Sequence, residues 1–387
     1  MIHTGRHFLQ IPGPSNVPDR VLRAMAAPTI DHRGPEFAAL TRDVLDGLRP
    51  LFGTSGPIVL YPSSGSGAWE AALVNTTAPG DRVLCAETGQ FATLWRDMAV
   101  NLGLDVDFLP GDWRRGVDPD AVRERLAADT GHTIRAVMVV HNETSTSVAS
   151  RVPEVRAAID AAGHPALLLV DTVSSLGCMP YDHDGWGVDV TVCGSQKGLM
   201  LPPGLGFNAI SEKALATAGN VDRARSYWDW APVIDANKAG SYPYTPATNL
   251  LYGMRESLAI MNEEGLPAIF ARHERHAAAT RAAVGGWGLE LQCADEREYS
   301  PTLTTVRMPG GSGADELRRI ILEKFDMSLG AGLGPLADQV FRIGHLGYFN
   351  DLMLAGTLAG VQMGLRLAGV PIKDGGLNTA LELLEAE

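Results

Sequence analysis

Long apolar runs are missing: nowhere do the 387 residues hold an uninterrupted apolar stretch of the length that a bilayer-spanning helix needs. Cysteine is scarce. The four present, Cys85, Cys178, Cys193 and Cys293, lie far apart, form no CxxC pair and join no histidine at metal-ligand spacing. That removes zinc modules and disulfide scaffolds, and leaves buried thiols in a reducing compartment. Positive charge is in deficit, with 32 Lys and Arg against 45 Asp and Glu and a net charge of −13. No basic stripe offers itself to a nucleic acid. The opening MIHTGRHFLQIPGPSN has no basic-then-apolar pattern ending in a small-residue cleavage site, so no signal peptide is read. A cytoplasmic protein with neither a membrane nor a nucleic-acid partner is expected. What remains, 45% hydrophobic and 20% charged, is globular composition, long enough for a large domain and a smaller companion.

Residues 1–19, rich in Gly, Pro and Asn, read as an extended arm able to lie over another surface. Two helices are expected between Arg20 and Leu51. Strand and helix patterns then alternate: IVLYPSS, GAWEAALVNTT, RVLCAE, FATLWRDMAVNLG, DVDFLP, DPDAVRERLAAD, IRAVMVVHNE, VPEVRAAIDAAG, ALLLVDTVSS and VDVTVCGSQK. Apolar strands separated by amphipathic helices predict an α/β large domain, a mostly parallel sheet with helices on both faces. It is assigned residues 20–262. Beyond it the chain is helix-heavy with shorter strands such as TLTTVRMP and VFRIGH, and residues 263–387 are read as a smaller C-terminal α+β domain.

In such sheets ligands sit outside the carboxyl ends of the strands. Three features gather there. After IVLYP, the turn SSGSGAWE joins a strand, a Gly/Ser loop and a helix start, which makes an anion cradle. Glu70 occupies the place of the third glycine of a dinucleotide fingerprint, so one phosphate fits better than two. Asp171 closes the apolar strand ALLLV, and Lys197 follows the next strand. Singly, each has a plainer reading: Ser64 a helix cap, Asp171 a turn cap, Lys197 a surface charge. Jointly, an anion cradle, a carboxylate and a desolvated lysine are what a pyridoxal-phosphate site requires.

SGSGAWEAALVN, HNETSTS, LLLVDTVSS, GSQKGLMLPPGLG, YPYTPA and FRIGHLG together resemble, nearly end to end, the class-V pyridoxal-phosphate aminotransferases of fold type I, and are most like the bacterial serine–glyoxylate enzymes. The resemblance implies pyridoxal 5'-phosphate as cofactor, small amino acids and 2-oxo acids as substrates, and no metal. Lys197 falls at the position of the Schiff-base lysine and Asp171 at that of the pyridinium partner. Ser64, Gly65, Ser66 and Gln196 fall around the phosphate, Phe91 and Val173 on the two faces of the ring, and Thr144 beside the ring oxygen. Tyr242 and Thr245 match residues that reach the phosphate from a second subunit, implying at least a homodimer, with a tetramer as the larger assembly. Arg342 matches the arginine that takes the substrate carboxylate. The implied reaction moves the amino group of serine to glyoxylate by a ping-pong mechanism. Alanine–glyoxylate, aspartate–glyoxylate and pyridoxamine–pyruvate transfer are the alternatives within the family. A cysteine desulfurase is opposed by the lack of cysteine in MSLGAGLGPLADQVFRIGH, and an NAD-dependent dehydrogenase, the alternative from another class, by the broken glycine fingerprint. Trp69 and Trp95 read as core, and His345 as a packed histidine without a catalytic role.

Overall fold

The computed structural model describes residues 5–386. Its larger sheet has seven strands in the order Ile58–Ser63, Gly204–Ile210, Val190–Gly194, Leu167–Asp171, Ile134–Val140, Arg82–Ala86 and Asp105–Leu109. Gly204–Ile210 runs antiparallel to both its neighbours; the other pairings are parallel. Side chains alternate between two separate cores. Leu84, Val137, Val139, Leu168 and Val170 face one, while Val83, Cys85, Met138, Val140 and Leu169 face the other. Both faces are therefore dry, which is why these strands read as unbroken apolar runs. Each fully buried side chain of this kind contributes roughly 1.5–3 kcal/mol of transfer free energy.

Helices cover the sheet where the periodicity places them. Pro35–Phe52 presents Phe37, Leu40, Val44 and Leu48 to the core, and stops at Gly53, whose φ of 64° an L side chain adopts only under strain. Gly65–Thr76 is buried along most of its length through Ala68, Trp69, Ala71, Ala72, Leu73 and Val74.

The second sheet has five strands in the order Phe8–Gln10, Met327–Ala331, Val340–Gly344, Leu303–Arg307 and Glu290–Leu291. The helices Leu266–Trp287, Ala314–Phe325 and Asp351–Leu367 pack around it with Trp287, Phe341, Leu317 and Leu358 in its core. The N-terminal segment, expected as an extended arm, contributes the edge strand Phe8–Gln10, parallel to Met327–Ala331; residues 1–4 of that arm lie outside the described residues. The described chain closes with two helices, Asp351–Leu367 and Gly376–Glu385. Among the described residues no helix is long and apolar enough to cross a membrane, and the four cysteines are buried and unpaired.

Candidate active site

Two strand ends and one helix start meet at the same edge of the larger sheet. Leu167–Asp171 and Val190–Gly194 lie side by side with Asp171 opposite Val192, so Asp171 and the turn bearing Gln196 and Lys197 emerge together. The antiparallel strand sets Gly204 against Ser63, where the helix Gly65–Thr76 begins. Between them is a cavity of about 240 Å³ lined by Ser64, Gly65, Ser66, Phe91, Thr144, Asp171, Val173, Gln196 and Lys197, with Trp69, Asn142 and Ser174 also on its wall and Gly13 and Pro14 closing it. A larger cavity of about 540 Å³ runs along the N-terminal segment and contains none of these side chains.

The cradle is open to an anion. Ser64 caps Gly65–Thr76 with no side-chain hydrogen bond, and no acidic residue stands in the first turn, so the leading amides and the dipole face the cavity uncompensated. Beside it the side-chain oxygen of Gln196 is buried without a hydrogen-bond partner among the described residues, a polar group with capacity to spare. The strand Gly204–Ile210 passes so near that a Cβ on Gly206 would lie 2.5 Å from the Ser64 oxygen.

Lys197 is 7% exposed and Asp171 4%. Burial pushes the lysine down to about 8, and the Arg342 guanidinium acts in the same direction. Burial pushes Asp171 up to about 7, against the hydrogen bonds from the Val173 amide and the Trp69 indole. An amine that sheds its proton near neutrality and a carboxylate waiting for a cationic partner thus share one dry cavity. Phe91 carries its ring 6.0 Å from the Lys197 Nζ. Across the cavity, Val173 packs against Gly65, where a Cβ would come within 2.6 Å of Val173 Cγ2. The Thr144 hydroxyl donates to Ser174 Oγ at 2.8 Å.

Arg342 sits on Val340–Gly344, 7% exposed, and reaches the site from the other sheet. Its Nε donates to the Ala331 oxygen at 2.6 Å and its Nη1 to the Thr144 oxygen at 2.8 Å, leaving Nη2 and one N–H of Nη1 for a ligand. Tyr242 and Thr245 are not brought to this cavity. They line a separate small cleft with Tyr61 and Tyr227, and the Tyr242 hydroxyl is buried without a partner among the described residues. His345 is buried, its Nε2 paired with Thr304 Oγ1 at 3.0 Å.

Three contributions escape a reading by motif. Trp69 is buried in the core, yet its Nε1 donates to Asp171 Oδ2 at 2.8 Å; the available signal is its place one helical turn after Ser66, on the same face. Glu143 is fully buried, and its carboxylate accepts from the amides of Phe91 and Ala92 at 3.2 and 3.1 Å and from Ser145 Oγ at 2.6 Å. This anchors the start of the Gln90–Asn101 helix and with it the Phe91 ring. Finally, the segment after Phe8–Gln10 straps over Lys197: the Pro12 oxygen accepts from the amine, while Ser15 Oγ donates to the Lys197 oxygen at 2.7 Å and the Ser15 amide to the Gln196 oxygen at 2.9 Å.

Comparison with known proteins identifies the family. The aminotransferase class-V family model matches residues 7–331. The chain is 49% identical over 378 residues to the serine–glyoxylate aminotransferase of Methylorubrum extorquens, covering 96% of this chain and 94% of that one. It is 43% identical over 373 residues to the L-aspartate–glyoxylate aminotransferase of Paracoccus denitrificans, covering 96% and 94%. The crystal structure of pyridoxamine–pyruvate aminotransferase from Mesorhizobium loti superposes with a TM-score of 0.91 at 28% identity, over 99% of this chain and 98% of that one. The fold is that of the fold type I aminotransferases, and the chain belongs to the class-V aminotransferase family.

Proposed function

We propose that this aminotransferase uses pyridoxal 5'-phosphate to move the amino group of a small L-amino acid, serine first, to glyoxylate, giving hydroxypyruvate and glycine, as a homodimer in the cytoplasm. One observation carries the cofactor reading: a buried lysine, a buried carboxylate and an uncapped helix start line one cavity. Residues suited to each part of the cofactor are present. The Ser64–Ser66 amides and Gln196 suit its phosphate, Asp171 a protonated ring nitrogen, Phe91 and Val173 the ring faces, and Lys197 its carbonyl carbon. Bound there, pyridoxal phosphate supplies an electron sink and a carbon that carries the amino group between the two substrates.

The chain's own residues do the rest. Lys197, neutral in part near pH 8, would hold the carbonyl carbon of the cofactor and, with its amine free, would accept the Cα proton of the substrate and return it to the product side. Asp171, buried, sets its charge against a cation. Arg342 presents its two terminal nitrogens to the substrate carboxylate as a flat fork, already fixed by the Ala331 and Thr144 oxygens. Because donor and acceptor use the same cavity in turn, the kinetics are ping-pong. Tyr242 and Thr245 complete the phosphate site of a second copy.

Serine as donor and glyoxylate as acceptor rest on likeness to the Methylorubrum extorquens enzyme; the Paracoccus denitrificans relative makes aspartate the second donor to test. Purified protein loaded with pyridoxal phosphate should absorb in the visible, lose that band on borohydride reduction, and fail to acquire it as Lys197→Ala. Turnover of glyoxylate with serine, alanine and aspartate, and of pyruvate with pyridoxamine, then fixes the substrates. No visible band in the wild type, or intersecting rather than parallel double-reciprocal lines, would count against the proposal.

A further inference from the structure

The carboxylate of Asp171 is gripped at both oxygens. Oδ1 accepts from the Val173 amide at 2.6 Å, a bond that any residue at 173 except proline could make, and Oδ2 accepts from the Trp69 indole at 2.8 Å, a bond that requires this side chain. The indole has no freedom to turn away. It stacks on Trp95 with centroids 5.7 Å apart and planes 14° from parallel, and meets Phe91 edge-on at 6.5 Å. A phenyl ring would continue that aromatic wall, so packing accounts for an aromatic residue at 69 but not for its N–H. The N–H points at an anion in a dry cavity, where a hydrogen bond to a charged acceptor is strongest.

We propose that Trp69 is a positioning residue of the transamination: its indole N–H orients the Asp171 carboxylate and holds it in the charged form that pairs with a protonated pyridine nitrogen. The inference rests on the cofactor proposed above. Trp69 acts through Asp171, not on substrate. The groups facing Asp171 are consistent with this. Lys197 comes from the turn beyond Val190–Gly194 and Glu143 from the short strand Asn142–Glu143; Tyr181 and Cys193, close by, are both held protonated by burial. The Glu143 and Lys197 charges work in opposite directions on Asp171, and the two hydrogen bonds are the larger of the effects that oppose its burial.

The test is Trp69→Phe, measured first on apoprotein. With Asp171 raised from its ordinary 3.8 to about 7 in the folded chain, the folded state keeps a proton that the unfolded state has lost across that window, so the contribution of Asp171 to stability falls as pH rises through it. Without the indole N–H the fall should extend above pH 7. In an Asp171→Asn background the same substitution should leave the pH profile of thermal unfolding unchanged. On loading, Trp69→Phe should weaken pyridoxal-phosphate binding by about 10–100-fold, the loss of one hydrogen bond to a charged group, and lower kcat with little change in KM for the amino donor. An unaltered pH profile with unaltered cofactor affinity overturns the role, as does an equal loss of affinity with and without the Asp171 carboxylate. Should Trp69→Phe not fold, benzothienylalanine at position 69 keeps the bicyclic shape and lacks the N–H; the same two outcomes decide. Wild-type protein that takes up no cofactor overturns the functional reading and this role with it, whereas normal wild-type uptake beside an unaffected variant overturns the role of Trp69 alone.

Discussion

Arg342 and Thr144 join the two sheets at the site: the guanidinium Nη1 of the first donates to the main-chain oxygen of the second at 2.8 Å. The guanidinium is thereby set against the cavity wall, which in its proposed role would spare an ordering cost on substrate binding. Burial lowers Arg342 only to about 10, so it stays cationic at neutral pH. Arg342→Lys keeps a charge but gives up the planar fork and one of the two carbonyl contacts. It should raise KM for amino donor and oxo-acid acceptor together, by the equivalent of about 2–5 kcal/mol, while titration of apoprotein with pyridoxal phosphate stays near the wild-type curve. A parallel collapse of cofactor affinity would remove Arg342 from its proposed place.

Lys197 sets a pH dependence whose sign follows from its burial. Its pKa is lowered from 10.5 to about 8, so only above about 8 is most of the folded protein ready to bond a carbonyl carbon. Uptake of pyridoxal phosphate by apoprotein, followed by its visible band, should therefore quicken as pH rises through 8 and level off above. Stability moves with it. Between about 8 and 10.5 the unfolded chain still holds the proton that the folded chain has released, so apoprotein should gain stability with pH across that window. Lys197→Met, which carries no proton, should lose this gain; a Lys197→Met profile matching the wild type would contradict the assignment.

Gly13 is the tightest point of the strap. With φ at 106°, a Cβ there would lie 2.6 Å from Lys197 Cε and 3.0 Å from Nζ. Gly13→Ala must displace either the strap or the lysine and should slow cofactor uptake severely. Gly80→Ala is the control, since its φ of 89° carries comparable backbone strain while nothing lies within 4 Å of the new Cβ. It should cost about 1 kcal/mol in thermal unfolding and leave uptake unchanged. Equal effects of the two on uptake would show that backbone strain, not the contact with Lys197, is responsible.

Tyr242 and Thr245 line a cleft separate from the cavity of their own chain, and the proposal gives them to a neighbour. Lys197→Ala and a Tyr242→Ala, Thr245→Ala double variant should each be crippled alone. When the two are unfolded and refolded together, mixed dimers contain one site with every group intact, and activity should reappear. If mixing restores nothing, the two residues serve the chain that carries them or serve no site.

Much of this architecture is legible before any coordinates. AVMVV and LLLV declare strands because burial on both faces leaves no polar positions to confuse the pattern, and Lys197 and Asp171 stand out because charged groups at the ends of such strands need a reason to be there. Gly204–Ile210 is harder, since GLGFNAI has the small residues that close passage beside Ser64 demands, and these dilute the β signal. Met327–Ala331 is obscured in the same way by Gly330, where a Cβ would meet Pro12 and Arg342. Trp69 illustrates a different limit. A core tryptophan on a helix has one hydrophobic pattern whether or not its N–H is in use, and the partner that gives it meaning, Asp171, is 102 residues away. Glu143 is hidden likewise, because a carboxylate that caps a distant helix looks like any loop glutamate.

The first strand of the chain belongs to the sheet farthest from it in sequence, with Phe8 set against Met327, and the residues directly after it roof the amine of Lys197. The seven-stranded sheet and its cavity are therefore not a separable cassette. A piece cut to residues 20–262 would retain Asp171, Lys197 and the Ser64–Ser66 turn in its sequence, yet lose the strap and its anchorage together, leaving a lysine more open to water and with less burial to lower its pKa.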